Sequence, residues 1–402
     1  MRGNIGVMFV AAVLFGLSFG VYDVVLPHWL DANGINYAQM GWIFALSNLA
    51  VIPIPILTGR LADLFGRKRL FAAGLACCSA ACAATPLMGR WIAQLLLRAV
   101  FQASGSIYYA LQGVLVFESG RSKFFRWIAR TQGGEAIFTA LGSAAVLVLI
   151  SSRGLLQELR LPFYLAGGLL AAAFLLVTVR LTEPDRTDVA DLNRRRFNPL
   201  MLPPTLVLLM VFNFVFLVGL SMSHSQMALL FFYDKFHLAR RDTAWINIVH
   251  RLSLGVPMVV LTFWTLRPRR WLFVATVAME GVFISATALP SDVRVAVVLW
   301  FLHDAVGAAI WSPINQWYLQ HYARPEHRAS NVATVLAISS LGTTVGPILA
   351  GRLARFGGPV PFPLTRAIDL PFFVSGIVVL LSAIVVCALP KGGEESRGSA
   401  RH

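Results

Sequence analysis

Charge is what this chain has least of. Only 13% of its 402 residues are Asp, Glu, Lys or Arg, about half the share usual in a soluble domain. With 57% hydrophobic residues and a mean hydropathy of +0.69, that deficit excludes a soluble globular chain and leaves an integral membrane protein. Cysteine is nearly as scarce. Of the four, Cys77, Cys78 and Cys82 share one apolar run and Cys387 lies in another, without zinc-ligand spacing or a secreted disulfide pattern, so they read as packing residues. Enzyme signatures are missing too: there is no Gly-x-Ser-x-Gly, no phosphate-cradling loop and no His-Glu-x-x-His. The pairs His250-Arg251 and His303-Asp304 are neighbours rather than metal-binding spacings. No enzyme, cofactor or metal is therefore expected, and without a Walker motif the energy for any work must come from a gradient. Acidic residues number 19 against 34 Lys and Arg, but the basic excess lies in short links between apolar runs. That is not the folded basic patch that nucleic acid requires, and no nucleic-acid partner is expected.

What the chain does have is long apolar runs, and at about 20 residues per crossing twelve of them fit. The expected spans are 5–26, 39–58, 70–88, 91–117, 131–151 and 162–181 in the first half. The second half supplies 204–233, 243–266, 271–289, 293–318, 331–354 and 371–389. The first run lacks a small-residue cleavage site before Tyr22 and Asp23, so it reads as a retained helix rather than a signal peptide. Residues 1–181 form one six-helix bundle and 204–390 the other. The polar stretch 182–203, with Glu183, Asp185, Asp188, Asp191 and Arg194-Arg195-Arg196, reads as the linker, and 391–402 as a tail. If the N-terminus is cytoplasmic, 22 of the 34 Lys and Arg fall inside, Arg180 at an inner span end among them, and 10 outside, Arg294 and Arg352 at outer span ends among them, with Arg98 and Arg251 deep within spans. The positive-inside rule then puts both termini and the linker in the cytoplasm, and an inner or plasma membrane is expected.

The most densely charged short link runs from Gly59 to Leu70, with Arg60, Asp63, Arg67, Lys68 and Arg69 between two apolar runs. Asp63 and Arg67 stand four apart, a spacing that pairs charges on a helical turn. Glycines suit places where backbone turns or crowds. The order Gly59, Leu61, Ala62, Asp63, Gly66, Arg67, Lys68 between the second and third helices resembles the cytoplasmic loop motif of the major facilitator superfamily of secondary transporters. Helix 4 adds Arg98-x-x-x-Gln102-x-x-Gly105, similar to that superfamily's fourth-helix motif, whose arginine is associated with proton transfer. Arg98, Gln102, Gly105, Tyr109 and Gln112 form one stripe; the alternative is that Arg98 snorkels to the outer surface. Gly133 and Gly142 begin an antiporter-type signature, but Val146 and Leu147 replace its Gly-Pro. Gly342-x-x-x-Gly346-Pro347 and Gly351 carry a similar motif in helix 11, to be read as packing or as gating.

The resemblance implies an all-α integral membrane protein with twelve transmembrane helices in two six-helix bundles around a central cavity, lined by helices 1, 2, 4, 5, 7, 8, 10 and 11. Glu280, on helix 9, then has a structural or interhelical role. Ionisable groups inside spans are costly, about 2.5–3.5 kcal/mol each at the helix centre, which makes them functional candidates. Gly59, Asp63, Gly66, Arg67 and Lys68 are the candidate gate, a latch docking the two halves on the cytoplasmic side. Arg98, Gln102, His224, Asn247, Arg251, Trp300, Trp311 and Asn315 are candidates for binding solute, and Asp304, Asp23 and Glu135 for carrying protons; Asp23 and Glu135 have the alternative of lying at the membrane interface. Counting roughly 1.5 Å per residue, Arg98, His224, Arg251 and Asp304 fall roughly 10–17 Å below the outer surface. There they would form a chamber suited to an anionic solute, or to a neutral one if Arg251 and Asp304 neutralise each other. The expected function is a monomeric secondary active transporter of a small organic solute, leaning anionic, working by alternating access with protons as driving ion and lipid as its surroundings. Alternatives are an exporter of neutral or amphipathic compounds and a membrane sensor that does not transport.

Overall fold

The computed structural model describes residues 2–153, 159–184, 202–224, 226–264 and 266–391. Most of the expected linker and nearly all of the expected tail lie outside these residues. Among the described residues every long element is helical. Eleven helical stretches are long and apolar enough to cross a membrane, and the 58-residue stretch Trp91–Val148 contains two helices parted by a turn at Arg121–Lys123, which gives twelve crossings. The protein is a multi-pass integral membrane protein.

The chain divides into two compact units, one of Met1–Leu202 with Ala323–Ala337, the other of Pro203–Tyr322 with Ile338–His402. Unit 1 contains α1 (Arg2–Ala32), α2 (Tyr37–Leu49), α3 (Pro53–Phe65), α4 (Arg67–Ala84), α5 (Trp91–Gly120), α6 (Phe124–Arg153) and α7 (Arg160–Arg180). The expected second span is thus two helices. Pro53 and Pro55 lack the N–H groups a continuous helix needs, but Pro53 is suited to the first turn of α3. Buried aromatics, among them Phe15, Tyr22, Phe71, Phe101, Tyr108 and Phe163, fill the interior, with Phe15 stacked on Tyr108 at 3.9 Å between centroids. At the α1–α6 crossing Gly142 lies against the Leu17 carbonyl, the close backbone approach that small residues permit in membrane helices.

Unit 2 begins with α8 (Pro204–Ser223), α9 (Gln226–Phe236), α10 (Arg240–Leu261), α11 (Arg270–Thr287) and α12 (Val293–Leu302). A π-helical turn over His303–Ala308 follows, and α13 (Ala309–Tyr322), α14 (Arg328–Ser339), α15 (Gly342–Ala354) and α16 (Asp369–Cys387) complete the chain. The first ten residues of α14 belong to unit 1. The expected seventh span is broken where His224 takes an extended conformation. Gly342 and Gly346 lie against α8 at Phe214, Val218 and Ser221, whereas Gly351 meets nothing, so the first two serve close packing. Cys78 and Cys82 are buried as expected of packing residues, but Cys77 and Cys387 are exposed. Leu57, Leu96, Val179 and Ile384 also face outward, where a membrane-spanning chain meets lipid.

Candidate functional sites

The Gly59–Leu70 segment is not a loop. α3 runs to Phe65 and α4 starts at Arg67, with Gly66 alone between them at φ 109, a conformation that glycine adopts without strain. The turn is this tight because a carboxylate receives the exposed helix start: Glu183 accepts from the Arg67 N–H at 2.7 Å and the Lys68 N–H at 3.0 Å. Lys68 contributes its backbone there.

Asp63 is fully buried and receives the start of α14, accepting from the N–H groups of Ala329 at 3.2 Å and Ser330 at 2.8 Å and from the Ser330 hydroxyl. Helix N-termini present unsatisfied donors and partial positive charge, so a carboxylate is well matched to them. Arg67 Nη2 lies 3.3 Å from Asp63 Oδ1 and 3.2 Å from Glu118 Oε1, and Arg328 Nη1 lies 3.4 Å from that same Glu118 oxygen. Two carboxylates and two guanidiniums therefore alternate in one buried network. Gly59 lets α14 approach, since a Cβ there would stand 2.7 Å from the Ala333 Cβ and 2.9 Å from the Ala329 carbonyl oxygen. Spacing found the Asp63–Arg67 pair. Glu118, Arg328, Ser330 and Glu183 escaped it, because each lies 51 or more residues from Arg67 in sequence.

Arg98 is also buried in unit 1, with its guanidinium carbon 5.4 Å from the ring centres of Tyr22 and Phe44 and 5.8 Å from that of Phe101. Its Nη2 reaches half-exposed Asp23 only at 3.7 Å, and its Nε and Nη1 have no hydrogen-bond partner among the described residues. Gln102, one turn along, donates to Asn48 at 2.9 Å. Further along α5, Tyr108 and Gln112 donate to the buried carboxylate of Glu135 at 2.9 and 3.0 Å.

In unit 2 the structure draws together residues that are far apart in sequence. His250 Nε2 is 2.9 Å from Asp304 Oδ2 and 3.4 Å from His303 Nε2, and His303 Nε2 is 3.3 Å from His224 Nε2 and 3.5 Å from Asp304 Oδ1. One donor atom from each of the four lies within 4.8 Å of the others. Adjacent residues on a regular α-helix point in different directions, yet His303 and Asp304 open the π-helical turn and both reach the site. Such turns recur at functional sites. Gly307, in the same turn, admits Glu280 of α11, whose carboxylate accepts from Trp311 Nε1 at 2.8 Å, an interhelical contact of the kind expected for Glu280. Trp300 packs on the imidazoles, stacked on His250 at 4.7 Å. The ion-pair partners of Asp304 are histidines; Arg251, one residue along α10, makes no ion pair with it within 4.0 Å. Asn247 is half-buried on the same helix, and Asn315 exchanges amide hydrogen bonds with Asn213 at 2.8 and 3.2 Å. Of the four residues expected to share one chamber, His224 and Asp304 belong to one cluster, Arg251 flanks it in sequence, and Arg98 belongs to unit 1.

The sequence pattern of the Major Facilitator Superfamily matches residues 8–233 and again residues 211–401. The 3-(3-hydroxy-phenyl)propionate transporter of Escherichia coli K12 is 23% identical over 366 residues, 88% of this chain and 87% of its own length. The quinolone resistance protein NorA of Staphylococcus aureus is 23% identical over 403 residues, 95% and 96% of the two chains. Among solved structures, the human organic anion transporter MFSD10 superposes with a TM-score of 0.77 at 16% identity, covering 96% of this chain and 99% of its own, a likeness of fold. A pattern that spans the chain, twelve helical crossings and relatives aligned nearly end to end make this protein a member of the Major Facilitator Superfamily, a transporter and not an enzyme.

Proposed function

We propose that the protein is a secondary active transporter of a small organic anion, carboxylate- or phosphate-bearing, that works by alternating access and is driven by protons. The observation that carries this reading is Arg98. A guanidinium is a planar fork suited to bidentate anion binding, and here it is buried among aromatic rings with Nε and Nη1 unpartnered among the described residues and its one carboxylate neighbour at 3.7 Å. Burying a charge without full hydrogen bonding is costly, so an incoming carboxylate would complete what Asp23 only begins. The aromatic surroundings suit a ring-bearing acid, and the names of two similar proteins, a hydroxyphenylpropionate transporter and an organic anion transporter, agree with that class. Arg251 is the second cation assigned to solute. Proton coupling is assigned to Asp23 and Glu135, whose carboxylates lie on or beside the Arg98 stripe, and not to Asp304, which histidines engage. The Asp63 network is the gating latch, facing the cytoplasm with both termini in an inner or plasma membrane.

Proteoliposomes enclosing a pH-sensitive dye, supplied with labelled 3-phenylpropionate or its uncharged amide, test this. The acid should exchange in counterflow and acidify the lumen, and Arg98→Gln should abolish its uptake, while Arg251→Lys should weaken it less than Arg251→Gln. Equal uptake of the amide by wild type and both glutamine variants, with no competition from the acid, would overturn the anionic reading. Tight binding without counterflow would make the protein a sensor.

A further inference from the structure

We propose that unit 2 holds a first-row divalent metal ion of the zinc type, bound by Nε2 of His224, His250 and His303 and by the carboxylate of Asp304. Four donors around a tetrahedral ion, with metal–nitrogen distances of 2.0–2.1 Å, stand about 3.3–3.4 Å apart. The His303–His224 and His303–His250 separations are 3.3 and 3.4 Å, and the two imidazole–carboxylate separations are 2.9 and 3.5 Å. The two nitrogen–nitrogen separations match edges of such a polyhedron, the carboxylate offers Oδ2 to His250 and Oδ1 to His303, and one ligand atom from each residue lies within 4.8 Å of the others.

Proton placement points the same way. His224 Nδ1 lies 2.8 Å from the Leu220 carbonyl, and a carbonyl only accepts, so Nδ1 carries the proton and the neutral ring turns the Nε2 lone pair into the cluster. A backbone carbonyl that fixes the tautomer of a histidine is the usual outer support of a metal ligand. The break between α8 and α9 makes this arrangement possible, because His224 ends α8 in an extended conformation. If His303 donates to His224, and His250 to Asp304, two N–H groups are left 3.4 Å apart with no acceptor between them. A cation removes that conflict by taking a lone pair from each ring. His303 is fully buried, and His250 and Asp304 are at least nine-tenths buried, which limits competition from water. Three imidazoles and one carboxylate make a closed, four-ligand site of the structural type, suited to zinc and its tetrahedral analogues rather than to magnesium or calcium, which prefer all-oxygen shells. The ion would tie the end of α8 to α10 and the π-helical turn.

The full-length protein, purified in detergent on a histidine-free tag and stripped with chelator, is titrated with Co²⁺ alone. One Co²⁺ per chain is expected, with the intense visible absorption of a tetrahedral centre, displaced by one equivalent of Zn²⁺. Asp304→Asn and His303→Ala should each weaken binding by at least about 10-fold, while His250→Cys should keep the ion and add a thiolate charge-transfer band. The wild-type titration needs no variant to fold. Less than one ion per chain, the pale spectrum of six-coordinate cobalt, or affinity unchanged in monodisperse variants would overturn the site in favour of a proton-sharing chain. None of these readouts depends on the solute.

Discussion

The two buried clusters solve opposite problems. In unit 1, Asp63, Arg67, Glu118 and Arg328 alternate in sign, and the donors of the α14 start meet a carboxylate, so every charge has an opposite charge beside it within the network, although Arg67 Nε and Glu118 Oε2 have no hydrogen-bond partner among the described residues. In unit 2 three imidazoles converge on one carboxylate, and like groups face one another at 3.3–3.4 Å. The first arrangement suits a latch that closes and opens as a unit. The second is short of positive charge at its centre, which a ligand would supply. Burial alone does not distinguish them; the sign and the donor-acceptor sense of neighbouring groups do.

The largest effect should come from breaking the charge-paired network. Asp63→Ala leaves Arg67 buried beside one carboxylate and strips the Ala329 and Ser330 amides of their acceptor, and breaking a buried ion pair by removing one partner costs about 3–5 kcal/mol. Thermal unfolding followed by size-exclusion in detergent should show a large drop in midpoint. Asp63→Asn, which keeps an acceptor oxygen, should leave a folded protein that binds solute but whose flux is sharply reduced. Unchanged transport in that variant counts decisively against the latch.

Unit 2 has its own buried ion pair, which sharpens the contrast. Lys235 Nζ lies 2.8 Å from Asp369 Oδ1, and Asp369 Oδ2 accepts from the Thr365 and Arg366 N–H groups, both at 3.0 Å. Asp369 thus resembles Asp63, a buried carboxylate joining a cation to backbone donors beside a helix start. Lys235→Met should destabilise less than Asp63→Ala, by about 2–3 kcal/mol, because charge-assisted hydrogen bonds of this strength still hold the remaining carboxylate. A loss as large as that of Asp63→Ala would mean that the backbone donors contribute little at either site.

Close approach is the next feature to break. Gly59→Ala gains about 1 kcal/mol of helix propensity but places a methyl 2.7 Å from Ala333, and overpacking costs about 1–3 kcal/mol. The expected result is a net loss near 1 kcal/mol with reduced flux. Gly168→Ala, where nothing lies within 4 Å, should be neutral or stabilising. Equal midpoints for the two variants would show that α14 does not need the glycine.

Legibility in the sequence follows range. The twelve crossings are visible because lipid demands long apolar runs, and the Asp63–Arg67 pair because four residues bring side chains together on one helix. The helix breaks were less visible. Pro53 and Pro55 signalled one, but the break at His224 has no proline or glycine beside it. The expected loop at Gly59–Leu70 proved to be two helix ends around Gly66, since charge density resembles solvent exposure until its partners are known. Those partners, Glu118, Arg328 and Glu183, arrive through tertiary packing and leave no local spacing. His224, His250 and His303 are 26 and 53 residues apart and come from three helical segments, so a search for local ligand spacing passes them by. The nearest signal was His303-Asp304, and a regular helix would have pointed those two apart; the π-helical turn, fitted around Gly307 and Glu280, is what brings them to one site.

The smallest effect concerns the support beneath the proposed latch. Glu183 receives the start of α4 with two oxygens, one for each of the Arg67 and Lys68 amides, and Asn4 holds the adjacent Thr182 through its backbone N–H at 2.9 Å and its hydroxyl at 2.8 Å. Glu183→Gln keeps the side-chain shape but offers one acceptor oxygen in place of two and removes the negative charge from a helix N-terminus, a change worth about 1 kcal/mol at a half-exposed position. The global midpoint should fall slightly. Hydrogen exchange should speed at Arg67 and Lys68, while the amides of Ala329 and Ser330, held by Asp63, keep their protection. Faster exchange at all four would join Glu183 to the network itself, and the contrast between a charge-paired cluster and its separate support would then fail.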